Sequence, residues 1–485
     1  MEASIDSLIK IAYKNRRYQK VLLFFCFLTW LNSNIFNTSI EVLSEPSSIN
    51  DNDVNFKDCQ ESQMKNATIK LYSIVSESNF NCDFMGQLAL KLSPSNGNIL
   101  GGMLFIYFSN KLRYKKLILI ASSFIIILTT SMAVIKNLTF ISFGVCYSTI
   151  MTNSILCATF LLGIEMETGQ KRSSFTKYVY LGLPLCDLIY PNILMRKLNF
   201  HWKTVISFSV IVTAYLALFF TFYTVEAPRM LLLKNKQSES IEALKYIAKW
   251  NNSYKELEEK MKSNEYRVLV FQMKNNINVH LKEDYAKRGV RALFKSKKDF
   301  KTCMILNVIW FIINMNDPEI DKEYYIFGII LKIIAIIIIS KLIDIQILGR
   351  RRTLYLICFL YAFFHFLLIF SEKKEGIFEY IIISSSLVMV FLLAACESLL
   401  YTFSVESYPI HLLSTGFGIN MISGSLGNIF GLLMFNYFKN ISNEVYSVLI
   451  IICGVLTILL KETKSEESEE NKMTIHHMSL IIGEI

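Results

Sequence analysis

The chain has 485 residues, of which 53% are hydrophobic and 13% aromatic, with only seven prolines and a formal net charge of +10. Its mean hydropathy is +0.38, which excludes an ordinary soluble protein. The composition predicts a polytopic membrane protein. Its basic residues are explained by their placement about a membrane, so we expect no nucleic-acid partner.

About twelve apolar runs follow one another, each near the ~17 to 25 residues that a helix needs to cross a bilayer. Stretches such as Ile333–Ile339 are unbroken apolar, whereas strands of a membrane barrel alternate. The pattern therefore predicts an all-α membrane protein with twelve transmembrane helices. The predicted spans are 21–36, 95–109, 117–135, 139–162, 176–195, 203–223, 302–316, 324–342, 353–370, 377–403, 413–437 and 444–460.

Two long polar interruptions divide these spans into two halves of six. Most of the 50 Lys and Arg lie in segments that become cytosolic if the N-terminus is inside, as the positive-inside rule favours. No small-residue cleavage signature follows the first span, so we interpret it as a retained helix. The predicted segments are a cytosolic N-terminus (1–20), an N-terminal half (21–223) with an extracellular loop (37–94), a cytosolic loop (224–301), a C-terminal half (302–460) and a disordered cytosolic tail (461–485).

The outer loop carries features of the secretory pathway. Cys59 and Cys82 are the two of ten cysteines that lie away from predicted spans, and a disulfide between them is a hypothesis for this oxidising side. Asn66 begins an Asn-Ala-Thr glycosylation sequon, and Asn37 begins a second one closer to the bilayer. Glycosylation is expected at Asn66 more than at Asn37.

The inner loop has helical periodicity. Ile241, Leu244 and Ile247 recur at helical spacing among Lys and Glu, which predicts an amphipathic helix under the bundle.

Few ionisable residues lie inside the spans. Lys332 is central in the eighth span, where a charge costs about 3 kcal/mol, so it must face a cavity or a partner. Glu397 in the tenth span is its natural partner by sign. Three interpretations of Lys332 stay open: a salt bridge between helices, a substrate or proton site, and a side chain that reaches the lipid headgroups.

Two further polar residues have weaker signals. Asp187 lies between Pro184 and Pro191 in the fifth span, where a broken helix frees carbonyl groups, and both a functional and a packing role are open. His365 in the ninth span is expected to be hydrogen-bonded between helices.

Several short motifs carry a family resemblance. They are Val225–Leu231 at the start of the inner loop, Ile241–Asn251 within it, Gly349–Arg351, Tyr408–Pro409 and Glu462–Lys464. The first is similar to the Pro-Glu-Ser-Pro-Arg-Trp-Leu signature of the organic cation, organic anion and carnitine transporter family of the major facilitator superfamily. Together with both long loops, the motifs resemble that family over nearly the whole chain.

The resemblance implies the major facilitator fold of two six-helix halves and a cytosolic gate of charged residues. Asn110, Gln346, Tyr114 and Leu413 stand where the family has Asp, Asp, Arg and Arg. We expect a weakened gate and a resting state shifted toward inward-open, unless packing or other pairs replace the lost charges. The candidate gate residues are Asn110, Lys111, Glu165, Arg172, Glu226, Arg229, Gly349, Arg350, Arg351 and Glu406.

The superfamily plan also implies a substrate cavity between the halves. Relatives that carry cations often have Asp, and relatives that carry anions often have Arg, at the place of Ser425, so a neutral or zwitterionic solute moves up the list. Aromatic side chains could hold a cation or simply pack. The candidate cavity residues are Asn34, Tyr147, Asn153, Asp187, Trp310, Lys332, Glu397 and Ser425.

These features predict a transporter of small organic solutes, secondary active or facilitative, that works by alternating access. The alternative is a transport-incompetent relative acting as a membrane partner or sensor. No nucleotide-binding, nucleophile-elbow or metal-spacing motif stands in a polar segment, so we expect no enzyme, cofactor or metal site. The expected partners are a small organic solute and the lipid bilayer, the expected state is a monomer, and the expected location is the plasma membrane.

Overall fold

The computed structural model describes residues 5–44, 74, 84–135, 137–167, 171–234, 236–275, 289–315, 324–342, 349–371, 377–437 and 439–462. Within these residues the chain forms helices joined by turns, and no residue among them lies in a strand. The predicted all-α fold class is therefore confirmed.

The helices of the first half and of the inner loop are α1 Ile5–Ala12, α2 Arg17–Ser33, α3 Ile35–Ser44, α4 Phe84–Lys111, α5 Tyr114–Val134, α6 Leu138–Glu165, α7 Lys171–Tyr180, α8 Gly182–Asp187, a π-helix Leu188–Lys197, α9 Trp202–Tyr223, α10 Pro228–Leu233, α11 Gln237–Trp250, α12 Tyr254–Lys262 and α13 Asn264–Lys274. Those of the second half are α14 Val290–Leu293, α15 Lys297–Ile313, α16 Tyr325–Leu342, α17 Gly349–Ser371, α18 Ile377–Ser407, α19 Ile410–Tyr437 and α20 Lys439–Ile458.

Each predicted span lies largely on a helix. By length and composition, nine helical stretches of the described residues are suited to cross a membrane, and they coincide with nine of the twelve predicted spans. The other three spans lie on α4, α15 and α20. Helix α15 has 17 residues, at the short end of the range for a membrane crossing.

Helical structure extends into the segment 37–94 that the sequence assigned to the outer loop. Helix α3 and the start of α4 both lie there, and they bury Leu43 and Leu90 in one hydrophobic cluster, at 2% and 0% exposure. The apolar run is interrupted near Lys91 and Pro94, so hydropathy alone places the start of this helix too late.

The chain forms two compact units. The first comprises residues 1–168 and 178–289, and the second comprises residues 169–177 and 290–485. In the first unit α6 packs against α4 and α5, and α9 packs against α5. In the second, α17 packs against α18 and α20, and α15 against α19.

Glycines bring helices close together in each unit. A methyl group added at Gly101 of α4 would lie 2.6 Å from the carbonyl oxygen of Ile150 in α6. One added at Gly427 of α19 would lie 2.2 Å from the carbonyl oxygen of Phe311 in α15. Each glycine is part of a Gly-Asn-Ile-x-Gly sequence, and small residues at this spacing allow the close approach of membrane helices.

His365 of α17 lies where sequence predicts, between helices. Its Nδ1 is 2.8 Å from the Oγ of Ser447 in α20, and its side chain is buried. The expectation of an interhelical hydrogen bond is confirmed.

The inner loop and the N-terminal helix form one packed layer in the first unit. Helix α1 packs against α11 and α12, and the predicted amphipathic helix is α11, which buries Ile241, Leu244 and Ile247. The loop is fastened further by Ser7, whose Oγ is 2.5 Å from the Tyr266 hydroxyl.

Asn251 joins this layer to the first membrane helix. Its Oδ1 accepts from the Tyr18 backbone N–H at 2.9 Å, and its Nδ2 donates to the Ala12 carbonyl at 2.8 Å and to the Gln19 Oε1 at 3.2 Å. The side chain is fully buried. A single amide therefore satisfies polar groups on both sides of the junction between α1 and α2.

We predict that Asn251→Ala lowers the free energy of unfolding by roughly 2 to 4 kcal/mol, because it leaves buried donors and acceptors without partners. Thermal unfolding of the detergent-solubilised full chain measures the change. Asn252→Gly is the matched control: Asn252 is exposed with φ of 56°, which glycine adopts freely, so its melting temperature should stay near that of the native chain. Equal melting temperatures for both variants would contradict the role of Asn251.

Candidate functional site

Two candidate gate residues of the first unit, Glu165 and Glu226, lie at the start of α5. Buried Glu226, in the segment after α9, accepts the backbone N–H of Lys115 through Oε1 at 2.9 Å. The first N–H groups of a helix have no partner inside it, and that end carries partial positive charge, so a carboxylate is well placed there. The Lys115 Nζ donates to the carbonyl of Thr224, which lies in the same segment as Glu226, at 3.0 Å.

Burial raises the pKa of Glu226 above its ordinary value of 4.5. The hydrogen bond from Lys115 opposes this shift, as do the charges of Lys234, Arg113 and Lys115. The net direction is upward because removal from water outweighs the neighbouring cations.

Tyr114 stands where the sequence resemblance predicted an arginine. Its hydroxyl donates to the Glu165 Oε1 at 3.2 Å, and both side chains are buried, at 1% and 4% exposure. Lys234 lies 5.8 Å from the centre of the Tyr114 ring and donates to the carbonyl of Leu112 at 2.8 Å. The turn therefore keeps a hydrogen bond to the carboxylate of Glu165 but supplies it from a neutral group.

Two ion pairs nearby were not predicted from sequence. Arg16, which follows α1 with φ of 53°, pairs with buried Glu167 just beyond the end of α6. Arg113 pairs with Glu239 of the loop helix α11 at 2.7 Å. The partners are more than 100 residues apart in sequence, so no local pattern marks them.

The second unit repeats this plan with an ion pair in the position of the Tyr114–Glu165 hydrogen bond. At the start of α17, the Arg350 Nη1 pairs with the Glu406 Oε2 at 2.5 Å, and their side chains are 6% and 12% exposed. The carboxylate of Glu462 accepts the backbone N–H of Arg350 at 2.8 Å and that of Arg351 at 3.1 Å. Glu462 thus stands to α17 as Glu226 stands to α5. It belongs to a motif recognised in sequence but was not among the candidate gate residues.

Gly349 is required where that carboxylate approaches. It has φ of +63°, and a methyl group there would lie 2.8 Å from the Oε2 of Glu462. Arg351 adds a bond from its Nη1 to the carbonyl of Leu460 at 3.2 Å. The candidates Gly349, Arg350, Arg351 and Glu406 therefore lie together in the structure.

The remaining gate candidates are more dispersed. Lys111 is exposed, and its Nζ lies 2.5 Å from the Tyr107 hydroxyl. Arg172 and Arg229 are half-buried on α7 and α10. Leu413, in the place of an arginine, is buried at 2% exposure. The side chain of Asn110 and the residue Gln346 lie outside the part of the chain that the structure describes.

Two cavity candidates of the first unit, Asn34 and Asn153, belong to a row of hydrogen-bonded asparagines. The Asn37 Nδ2 donates to the Asn34 Oδ1 at 2.8 Å, and the Asn98 Nδ2 donates to the Asn37 Oδ1 at 3.1 Å. The Asn153 Nδ2 donates to the Asn98 carbonyl at 2.7 Å. These hydrogen bonds link α3, α4 and α6 through uncharged groups. By contrast, Tyr147 is 52% exposed on α6 and is not part of this row.

The same bonds bear on glycosylation. The nitrogen that would carry a glycan on Asn37 already donates to Asn34 inside a helix, which favours Asn66. Asn66 lies outside the described residues, as do Cys59 and Cys82 with their predicted disulfide.

Asp187 lies where the fifth span loses regular helix. Helix α8 ends at Asp187, the π-helix follows it, and the Asn192 Nδ2 donates to the Asp187 carbonyl at 2.7 Å. The break predicted between Pro184 and Pro191 is therefore present, and Asp187 is 7% exposed. A π-helical segment often marks a functional position.

Trp310 of the second unit is engaged in packing. Its Nε1 donates to the Ser404 Oγ at 2.9 Å, and its ring meets Tyr401 edge-on at 4.9 Å. The side chain is 3% exposed, so neither ring face is open to a solute. Ser425 is also buried and bonds within its own helix, to the carbonyl of Met421.

Lys332 and Glu397 lie on helices that pack together, α16 and α18, and both are half-buried. Each has interactions in the structure. Whether they bind a solute or each other remains a prediction.

Glu226 generates a prediction on pH. Because folding raises its pKa, its contribution to stability is full below pH 4.5 and is lost as the pH rises through the higher folded-state pKa. Glu226→Gln keeps an oxygen acceptor for the N–H of Lys115 and does not titrate. The variant should therefore gain stability relative to the native chain as pH rises above 4.5.

Melting temperatures of the full chain in detergent from pH 4.5 to 7.5 measure this difference. Glu242→Gln, an exposed glutamate of α11, is the control and should show no such trend. A constant difference between Glu226→Gln and the native chain across this range would contradict the prediction.

Comparisons with known proteins agree with the architecture. The model of the Major Facilitator Superfamily matches residues 323–475. No curated protein matches the chain significantly in sequence. Three similar solved structures are of one protein, XylE: a proton:xylose symporter bound to 6-bromo-6-deoxy-D-glucose, a double-tryptophan mutant, and a partially occluded inward-open conformation of the xylose transporter from E. coli.

Each of these structures is 13% identical to the chain. Their TM-scores are 0.66, 0.67 and 0.62, and they cover 92%, 93% and 92% of this chain and 96%, 98% and 98% of their own. Likeness at this identity establishes the fold, and the apolar helices establish the environment. The chain is thus a multi-pass membrane protein with the fold of the major facilitator superfamily.

Proposed function

We propose that the chain is a transporter of small organic solutes that works by alternating access, with its two six-helix halves rocking about a central site. The observation that carries this proposal is the repeated arrangement at the starts of α5 and α17. In each half a carboxylate beyond the last membrane helix, Glu226 or Glu462, accepts a hydrogen bond from a backbone N–H at the start of a helix. A second carboxylate, Glu165 or Glu406, is bound by the side chain of Tyr114 or Arg350 at the same helix start.

Such a network suits a two-state gate. Removing one member of a buried ion pair costs about 3 to 5 kcal/mol. A helix start held by such a pair therefore occupies one of two discrete arrangements rather than positions between them. The bond from Tyr114 to Glu165 supports a working gate, because a hydrogen bond takes the place of one lost charge. It counts against the alternative of a transport-incompetent partner or sensor.

The finer assignment rests on the sequence motifs. They resemble the organic cation, organic anion and carnitine transporter family, and we propose the plasma membrane as the location. Within this family a neutral or zwitterionic solute is favoured by Ser425, by the uncharged amides around Asn98, and by the buried indole of Trp310. XylE, which shares the fold, is described as a proton:xylose symporter, so neutral polyols belong in any panel.

Uptake by cells that express the chain tests the proposal. The panel contains labelled organic cations, anions, zwitterions and neutral polyols, at two membrane potentials and two pH values. We expect saturable uptake of at least one neutral or zwitterionic compound, above that of cells with empty vector. Absence of saturable uptake despite surface expression would favour the partner or sensor alternative.

Lys332 and Glu397 are the proposed charged groups of the site or of its coupling. We predict that Lys332→Ala or Glu397→Gln changes which solute is taken up or its pH dependence. Ser384→Ala, an exposed position on α18, is the control and should leave the profile unchanged. Identical substrate profiles for all three variants would remove both charged residues from the site.

Arg350 provides a test of the gate. Arg350→Met should reduce uptake by roughly tenfold or more, because it leaves the Glu406 carboxylate without its ion pair. Arg352→Met is the matched control, since Arg352 is an exposed neighbour in the same helix. Surface expression is measured for both, and equal uptake by the two variants at equal expression would contradict a gating role for Arg350.

A further inference from the structure

Lys177 makes a contact that none of the predicted networks contains. It lies on α7 and is 4% exposed, and its Nζ donates to the backbone carbonyl of Ser340 in α16 at 2.7 Å. Residues 169–177 belong to the second compact unit together with α16, although in sequence they stand in the N-terminal half. The contact thus joins the start of the fifth span to the end of the eighth.

The chemistry of the contact is favourable on both sides. Helix α16 is described as far as Leu342, and Ser340 lies in the last turn of that described range. A hydrogen bond from an ionised donor to a carbonyl oxygen is charge-assisted and stronger than one between neutral groups. A buried ammonium group in turn requires hydrogen-bond acceptors. The Ser340 carbonyl thus provides an acceptor that the buried Lys177 ammonium group requires.

The fifth span changes its backbone immediately after this contact. The chain passes from the second unit to the first at Tyr178, helix α7 ends at Tyr180, and α8 and the π-helix follow. Helices bend at such interruptions and at proline, and both are present here. The segment that carries Lys177 is therefore separated from the rest of its span by a natural point of bending.

We infer that Lys177 is a positioning residue of the cytosolic gate, which holds the start of α7 to the end of α16 while the inner side is closed. Both ends are cytosolic by the positive-inside assignment. The inference rests on the proposed function, because in alternating access the halves separate on this side when the protein faces inward. The bond must then break, and it provides a charge-assisted attachment in a chain whose gate has Leu413 in the place of an arginine.

Cysteine accessibility tests the inference without a substrate. Ser173 of α7 is 1% exposed, so Ser173→Cys is a reporter whose labelling by a membrane-impermeant maleimide in inside-out vesicles requires opening. The chain without this substitution gives the background from native cysteines. In this reporter background, Lys177→Met should raise the labelling rate roughly tenfold, the change expected on loss of a hydrogen bond to a charged group.

Two matched variants separate gating from general damage. Lys177→Arg keeps a cation that can donate to the Ser340 carbonyl and should return labelling toward the parent rate. Lys341→Met removes an exposed lysine beside Ser340 and should leave the rate unchanged. An unchanged rate in Lys177→Met, or an equal rise in Lys341→Met, would overturn the inference.

A second measurement holds even if Lys177→Met fails to fold. A bifunctional methanethiosulfonate reagent should cross-link Lys177→Cys to Ser340→Cys in the full chain, and should not cross-link Lys171→Cys to Ser340→Cys. Absence of the first cross-link in folded protein would overturn the contact. Labelling and cross-linking report the gate directly, whereas failure of the proposed function appears as absent uptake, so the two failures are distinguishable.

Discussion

The starts of α5 and α17 depend on carboxylates supplied from far along the chain. A membrane helix that begins after a short turn has free N–H groups at its first residues, and they are costly when removed from water. Glu226 and Glu462 remove that cost by accepting them. Each carboxylate lies just beyond the last helix of its half, so the same bonds fix the third helix of the half to the end of the sixth.

The sequence predicted some of this structure well. Helices are local, and runs of about 20 apolar residues marked the nine helical stretches that, among the described residues, suit a membrane crossing. Arg350 and Glu406 were recognised because they lie in motifs that resemble those of a transporter family, and His365 because a buried imidazole needs a partner. The boundaries were weaker, since α4 continues through polar Lys91 and past Pro94 on contacts that hydropathy does not record.

The missed contacts share a physical cause. Arg16 with Glu167, Asn251 with Tyr18, and Lys177 with Ser340 each join residues more than 100 positions apart. Two of the three use a backbone group, which any residue type supplies, so no complementary side chain appears in the sequence. The side chains in these contacts look like ordinary solvated lysine, arginine or asparagine until tertiary structure buries a partner.

Polar residues inside the spans also divide by how much of their hydrogen-bonding capacity is used. Asn32 donates to Ser209 and Thr213 and accepts from Tyr190, so its amide ties three helical segments together and has little left for a solute. Asn98 is half-buried and gives one Nδ2 bond, which leaves capacity for a neutral solute. Sequence cannot separate these two asparagines, because the difference lies entirely in their neighbours.

The two halves differ in what holds the starts of α5 and α17. The second half has a buried ion pair, whose disruption costs about 3 to 5 kcal/mol when one partner is removed. The first has a neutral tyrosine donor, and a typical hydrogen bond contributes about 0.5 to 1.5 kcal/mol. Its turn is instead braced by the inner loop, through Arg113 to Glu239 and Lys234 to Leu112. The start of α5 is therefore held by attachments to the inner loop as well as by the hydrogen bond from Tyr114.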